Sequence, residues 1–219
     1  VKHAWALLGV LLLPAAGSAQ APASSDPAPE IVTKAARVYR GLSGLQADFR
    51  QKLEDRRLGD ENSRGTLYQS GNRFAMRFAD PATEAIVLDG SKLWVYTPSD
   101  NPGVVLRYPP PSSPVFGYNI LDWFLKSPLD RYRVTFVKTE TVDGRVTDAV
   151  QLQPLVPGEF QFRRATLWFD RGDGLPRRIQ TDEGPQTRTV DLSNVRTNGT
   201  FPAGIFAFKV PTGVKVVDQ

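Results

Sequence analysis

Two hydrophobic periods alternate along this chain, and they separate its helices from its strands. From Ile31 onward the apolar residues Ile31, Ala35, Val38 and Leu42 recur in steps of three and four, which predicts a helix with one apolar face and Tyr39 at its flank. Gly41 and Gly44 end it. The period then changes to two. Leu45, Ala47, Phe49 and Leu53 alternate with Gln46, Asp48, Arg50 and Glu54, as in a strand with one buried face. The same pattern predicts further strands near 65–69, 73–79, 83–88, 92–97, 104–108, 132–142, 146–153, 160–170, 176–182, 186–195 and 206–210. Turn residues separate them: Ser70-Gly71-Asn72, Asp89-Gly90, Asp143-Gly144, Gly172-Asp173-Gly174 and Glu183-Gly184.

One stretch breaks the meander. Prolines at 109–111 and 114 forbid ladder pairing, and Ile120 to Lys126 then predicts a short helix, apolar around most of its circumference and closed by Ser127-Pro128. Such a helix suits a place between a sheet and other apolar groups. The reading is a mainly β (α+β) fold: one strongly curved antiparallel sheet of roughly eleven strands with two or three helices on its concave side.

The first thirty residues follow neither period. Lys2 and His3 precede the apolar run Ala4 to Leu13, and Gly17-Ser18-Ala19 offers small residues for cleavage, so residues 1–19 read as a signal peptide cut near Ala19. Residues 20–30, rich in Pro, Ala and Ser, read as a flexible leader. Residues 31–219 remain as one domain of an exported protein, expected to be a monomer. No segment approaches the ~20 apolar residues of a membrane-spanning helix.

Composition matters chiefly through what it removes. The chain has no cysteine, and its one histidine, His3, lies in the signal segment. Thiol nucleophiles, serine triads, histidine bases and nearly all zinc sites are therefore excluded from the domain, and neither a cofactor nor an enzymatic activity is expected. Carboxylate chemistry finds no support either: Asp89, Asp143, Asp170, Asp173 and Glu183 sit at turns, while Asp48, Glu54 and Glu140 alternate outward from strands. Twenty-seven Lys and Arg against 23 Asp and Glu leave a formal charge of +4 without a basic cluster, so no nucleic-acid partner is expected. The apolar excess is what stands out. Composition alone leaves open whether it fills a core or lines a cavity.

Several blocks, in order, resemble one family. Leu45-Gln46-Ala47-Asp48-Phe49-Arg50-Gln51, Gly65-Thr66-Leu67-Tyr68, Phe74-Ala75-Met76-Arg77-Phe78, Ile86 to Gly90 with Leu93-Trp94-Val95-Tyr96, Gly174-Leu175-Pro176, and Phe206 to Val216 resemble the periplasmic outer-membrane lipoprotein carrier (LolA) family. The likeness runs from about residue 31 to 218. It implies an unclosed antiparallel β-barrel whose helices form a lid over a hydrophobic cavity. It also implies the cargo and partners: acylated lipoproteins, received from an inner-membrane lipoprotein-releasing ABC transporter and handed to an outer-membrane lipoprotein receptor. The lining expected on this basis is Tyr39, Leu42, Leu45, Phe74, Met76, Phe78, Trp94, Tyr96, Phe116, Ile120, Leu121 and Phe124. Family members commonly carry Arg-Pro before the phenylalanine strand, the arginine latching the lid. This chain has Ser70-Gly71 there, so that either Arg73 is the latch or the latch is missing. The alternative reading is an envelope lipid sensor of the same fold.

Such cargo constrains any mechanism. Burial of an acyl chain is worth ~0.8 kcal/mol per methylene, so three sixteen-carbon chains amount to on the order of 40 kcal/mol against water. Transfer must then proceed by contact between apolar sites, from a carrier whose lid has states of similar free energy.

Overall fold

The computed structural model describes residues 26–110 and 120–219. In chain order the elements are α1 (Ala28–Arg40), β1 (Leu45–Asp55), β2 (Gly59–Ser70), β3 (Arg73–Asp80), β4 (Ala82–Leu88), β5 (Leu93–Tyr96), β6 (Val104–Tyr108), α2 (Ile120–Leu125), α3 (Pro128–Arg131), β7 (Tyr132–Val142), β8 (Arg145–Pro154), β9 (Arg164–Asp170), β10 (Pro176–Asp182), β11 (Gln186–Thr197) and β12 (Lys215–Asp218). All twelve strands belong to one sheet, ordered β12-β6-β5-β4-β3-β2-β1-β11-β10-β9-β8-β7. Every pairing is antiparallel except β12 on β6. The edges β12 and β7 do not meet, so the curved sheet is an unclosed barrel.

Strand alternation decides which residues face inward. Across β1 to β6 the registers align one cross-strand row, Leu45, Gln69, Phe74, Leu88, Leu93 and Tyr108, and a second, Ala47, Leu67, Met76, Ile86, Val95 and Leu106. Both rows point to the concave side, where they join one apolar core with α1, α2 and the inner residues of β7 to β11. The residues between them point outward. Tyr68, Ala75, Val87, Trp94 and Arg107 make one convex row, and Thr66, Arg77, Ala85 and Tyr96 another.

Helix α1 begins three residues before the position the periodicity predicts. The Asp26 carboxylate accepts the Ala28 N–H at 2.9 Å and the Phe136 N–H at 3.1 Å, which fixes the helix start against edge strand β7. The buried stripe is Ala28, Val32, Ala35, Ala36 and Tyr39, with Ile31 and Val38 at its margin. Tyr39 is thus central to the stripe and not a flank. Glu30 in the first turn and Arg37 and Arg40 in the last complement the helix dipole. The Asp143-Gly144 turn adopts positive φ at both positions (48° and 74°), the geometry that suits a tight hairpin.

Two predicted strands are differently built. Residues 206–210 are not a strand: residues 201–208 cross the convex face as a strap, its backbone held by the Arg77 guanidinium, which donates to Ile205 O at 2.8 Å and Ala207 O at 2.7 Å. The strap buries rings against the sheet, Phe208 stacked on Trp94 at 5.5 Å and Phe201 edge-on to Tyr68 at 6.1 Å. Gly44 makes room for it, because a Cβ there would meet the Phe201 ring at 2.5 Å. The final strand comes later, as β12. Residues 160–163 also leave the ladder, since Phe160 and Phe162 pack on the helices and not along β8. α2 ends at Leu125, ahead of Ser127-Pro128 as expected, and Pro128 then opens a further short helix, α3, after Ser127 in the left-handed region.

A buried ionic cluster joins β8, β9 and β10. Asp170 bonds Arg145 Nε at 2.5 Å and Arg177 Nη2 at 2.9 Å, and accepts the Gly172 N–H at 2.8 Å. Burial works to raise the Asp170 carboxyl, but the Gly172 N–H and the two guanidiniums outweigh it and hold the group below the ordinary carboxylate range.

Candidate functional site

The lid is α2. Its residues Leu121, Trp123, Phe124 and Leu125 are buried against the concave core. Five aromatic rings gather where it lands: Phe124 lies 5.5 Å from Phe162 and 6.2 Å from Tyr132, Trp123 lies 5.9 Å from Phe160, and Phe160 stacks on Phe162 at 5.2 Å. The Tyr132 hydroxyl donates to the Trp123 carbonyl at 3.0 Å, and burial, its first cause, pushes that phenol's pKa well up. The lid is therefore held by side chains converging from α3, β7 and the loop before β9.

A small polar cluster closes the same mouth from the other side. The Tyr39 hydroxyl accepts the Gln69 carboxamide N–H at 2.5 Å and donates its own proton to the Asp122 carboxylate, its second hydrogen-bond partner. This ties α1, β2 and α2 together. Burial first, then the Asp122 charge, drives the Tyr39 phenol far above its usual range, so it stays a neutral donor. Beside the cluster lies a cavity of about 210 Å³, lined by Tyr39, Arg40, Leu42, Leu45, Gln69, Ser70 and Asp122 among others.

The structure gathers most of the predicted lining. Tyr39, Leu45, Phe74, Met76, Leu121 and Phe124 belong to one concave core, with Leu42 and Phe78 packed at its margin. Tyr39, Leu42 and Leu45 border the mouth cavity, but Phe74 is 2 % exposed, Leu121 3 % and Phe124 0 %, so side chains fill the space directly beneath the closed lid. Trp94 and Tyr96 are a correction. They stand on the convex face against strap residue Phe208, because Leu93 and Val95 take the inward positions of the same strand. Arg73 is a second correction. Odd-numbered β3 residues face outward, so its guanidinium lies over the Phe206 ring at 4.8 Å on the convex face and cannot latch the lid. Phe116 and the side chain of Ile120 lie outside the described residues.

Sequence reasoning missed Gln69, Phe160 and Phe162, and left Trp123 out of the lining. Gln69 had a visible signal: it is the polar residue at the inward position of a row otherwise apolar or aromatic. A groove of about 560 Å³ beside the strap, lined by Arg73, Asp89, Phe201, Phe206 and Phe208, is larger than the mouth cavity. It lies outside the barrel and shares no wall with the concave rows. Among the described residues no group of His, Cys, Asp and Glu is arranged to hold a metal ion, and no helix is long and apolar enough to cross a membrane.

A half-barrel of one antiparallel sheet, its concave face covered by helices, defines the class. The match to known proteins narrows it: residues 40–209 fit the family described as outer membrane lipoprotein carrier protein LolA, and the chain belongs to that family. Among curated relatives, the outer-membrane lipoprotein carrier protein of Xanthomonas oryzae pv. oryzae is 30% identical over 180 residues, covering 81% of this chain and 83% of the relative. The protein of the same name from Alkalilimnicola ehrlichii is 28% identical over 193 residues, covering 84% and 81%. Solved structures share the fold. An uncharacterized conserved protein from Thermus thermophilus superposes with a TM-score of 0.56 at 11% identity, covering 87% of this chain and 98% of its own. MucB in the Pseudomonas aeruginosa MucA/MucB complex gives 0.50 at 15%, covering 86% and 62%.

Proposed function

We propose that this protein is a non-enzymatic periplasmic carrier that shields the acyl chains of lipoproteins on the concave face of its half-barrel, taking them from the inner membrane and releasing them at the outer. The observation that carries this is the pair of inward cross-strand rows, twelve residues of which ten are aliphatic, methionine or phenylalanine, beneath a helix fixed by side chains. Family membership and relatives named as lipoprotein carriers support the same reading. Loading requires α2 to move, because the closed core has no room for an acyl chain. Each methylene that replaces a lid contact returns ~0.8 kcal/mol, so an acyl chain offsets the opened lid, and the lid offsets the departed chain. Such an exchange of lid contacts for acyl contacts suits an intermediate that must both accept and yield. Donor and acceptor are then an inner-membrane lipoprotein-releasing ABC transporter and an outer-membrane lipoprotein receptor.

The test is to isolate the protein from the periplasm of its own host and identify by mass spectrometry what copurifies. Acylated proteins are expected in amounts comparable to the carrier. Free phospholipid alone, or no lipid, would retire the carrier reading.

A further inference from the structure

The concave face carries a polar cluster that an apolar container does not need. Gln69 projects inward between Leu45 and Phe74, and its carboxamide is bonded to Tyr39, whose hydroxyl also meets Asp122. Burying such groups gains little over an apolar triplet of the same volume, because each hydrogen bond only replaces one lost to water. Their position points to a use. They border the 210 Å³ cavity at the rim of the apolar rows, with Ser70 and Arg40 also on its wall.

We propose that this mouth cavity is a subsite for the ester junction of the bound lipid, the glycerol carbons and acyl carbonyls that join polar head to apolar tail. The proposal rests on the carrier reading above and adds to it. Tails on Phe74, Met76 and the rows beyond place the ester group of the same molecule at the rim. Ester carbonyls accept hydrogen bonds and donate none. The Gln69 carboxamide supplies N–H donors, and burial beside Asp122 keeps the Tyr39 hydroxyl protonated and able to donate. In the closed protein a Gln69 N–H goes to the Tyr39 hydroxyl and the hydroxyl proton to Asp122, across β2, α1 and α2. With α2 displaced, Asp122 leaves the Tyr39 hydroxyl, and an ester carbonyl oxygen takes the O–H it releases beside the second N–H of Gln69. The cluster thus holds the mouth shut when empty and reads the ester when full. Glycerophospholipids and diacylglyceryl-modified proteins share this chemistry.

The experiment compares ester-linked and ether-linked forms of two probes, a dipalmitoylglyceryl-cysteinyl peptide and dipalmitoyl phosphatidylglycerol, with identical chains. The wild type is expected to prefer ester over ether by about tenfold for the peptide, the worth of one or two neutral hydrogen bonds. Gln69→Leu is expected to abolish the preference, ester and ether forms then binding alike, and Tyr39→Phe to reduce it. Ether binding serves as the folding control, and Tyr39→Phe, a nearly isosteric change, stands in should Gln69→Leu fail to fold. The same preference with phosphatidylglycerol assigns the subsite to any acyl ester, and its restriction to the peptide assigns it to lipoproteins. Equal ester and ether binding by the wild type, or a preference that survives both substitutions, overturns the subsite and leaves the carrier reading standing. Binding of neither form of either probe overturns both.

Discussion

Phe124→Ala is expected to cost about 3–5 kcal/mol of stability, the range for deleting a fully buried phenylalanine. The loss falls on the lid. Phe124 is the ring of α2 that touches both Tyr132 and Phe162, so its removal undoes the aromatic seat on which the helix rests. The rest of the sheet keeps its ladders. Amide exchange should therefore accelerate most in α2 and less in β1 and β11, and an environment-sensitive apolar dye should bind the variant and not the wild type. Denaturant titration reads the first effect and exchange mass spectrometry the second. Uniform acceleration over the whole sheet would mean that α2 is core and not lid.

Asp170→Asn is expected to lose about 3 kcal/mol at neutral pH. Breaking a buried ion pair costs ~3–5 kcal/mol, and Asp173, which also bonds Arg177, places the loss at the lower end. The pH dependence has a definite sign. The folded carboxyl is held below its unfolded value, so its stabilisation is complete above the ordinary Asp range near ~3.9 and is lost as pH falls through the folded value. Wild type and variant should thus converge in melting temperature below about pH 4. A difference that stays constant down to pH 2 would show that Asp170 acts by shape and not by charge.

Much of this architecture is legible in the sequence because one period does most of the folding. Period-two alternation locates β1 to β11 and also separates Phe74, Met76 and Phe78 from Arg73, Ala75 and Arg77. It fails where both faces of a strand are apolar. In Leu93-Trp94-Val95-Tyr96 no local signal distinguishes inside from outside, and the answer comes from residues 201–208, more than a hundred positions away, whose strap makes the convex face apolar too. The strap itself looks like a strand, because Phe206 and Phe208 alternate. Its backbone is bonded by Arg77, a tertiary contact that alternation cannot encode. The lid seat was hidden for a similar reason: Phe160 and Phe162 have strand spacing, yet they serve α2.

The most direct measurement of the acyl site is photocrosslinking with a diacylglyceryl peptide that carries a diazirine midway along one acyl chain, followed by mapping of the adducts. Adducts on Met76, Ile86 and Val95 of the concave rows and on Leu121 or Phe124 of the lid are the expected result. Adducts concentrated on Trp94, Tyr96 or Phe208 would place the lipid on the convex face and contradict a concave acyl site.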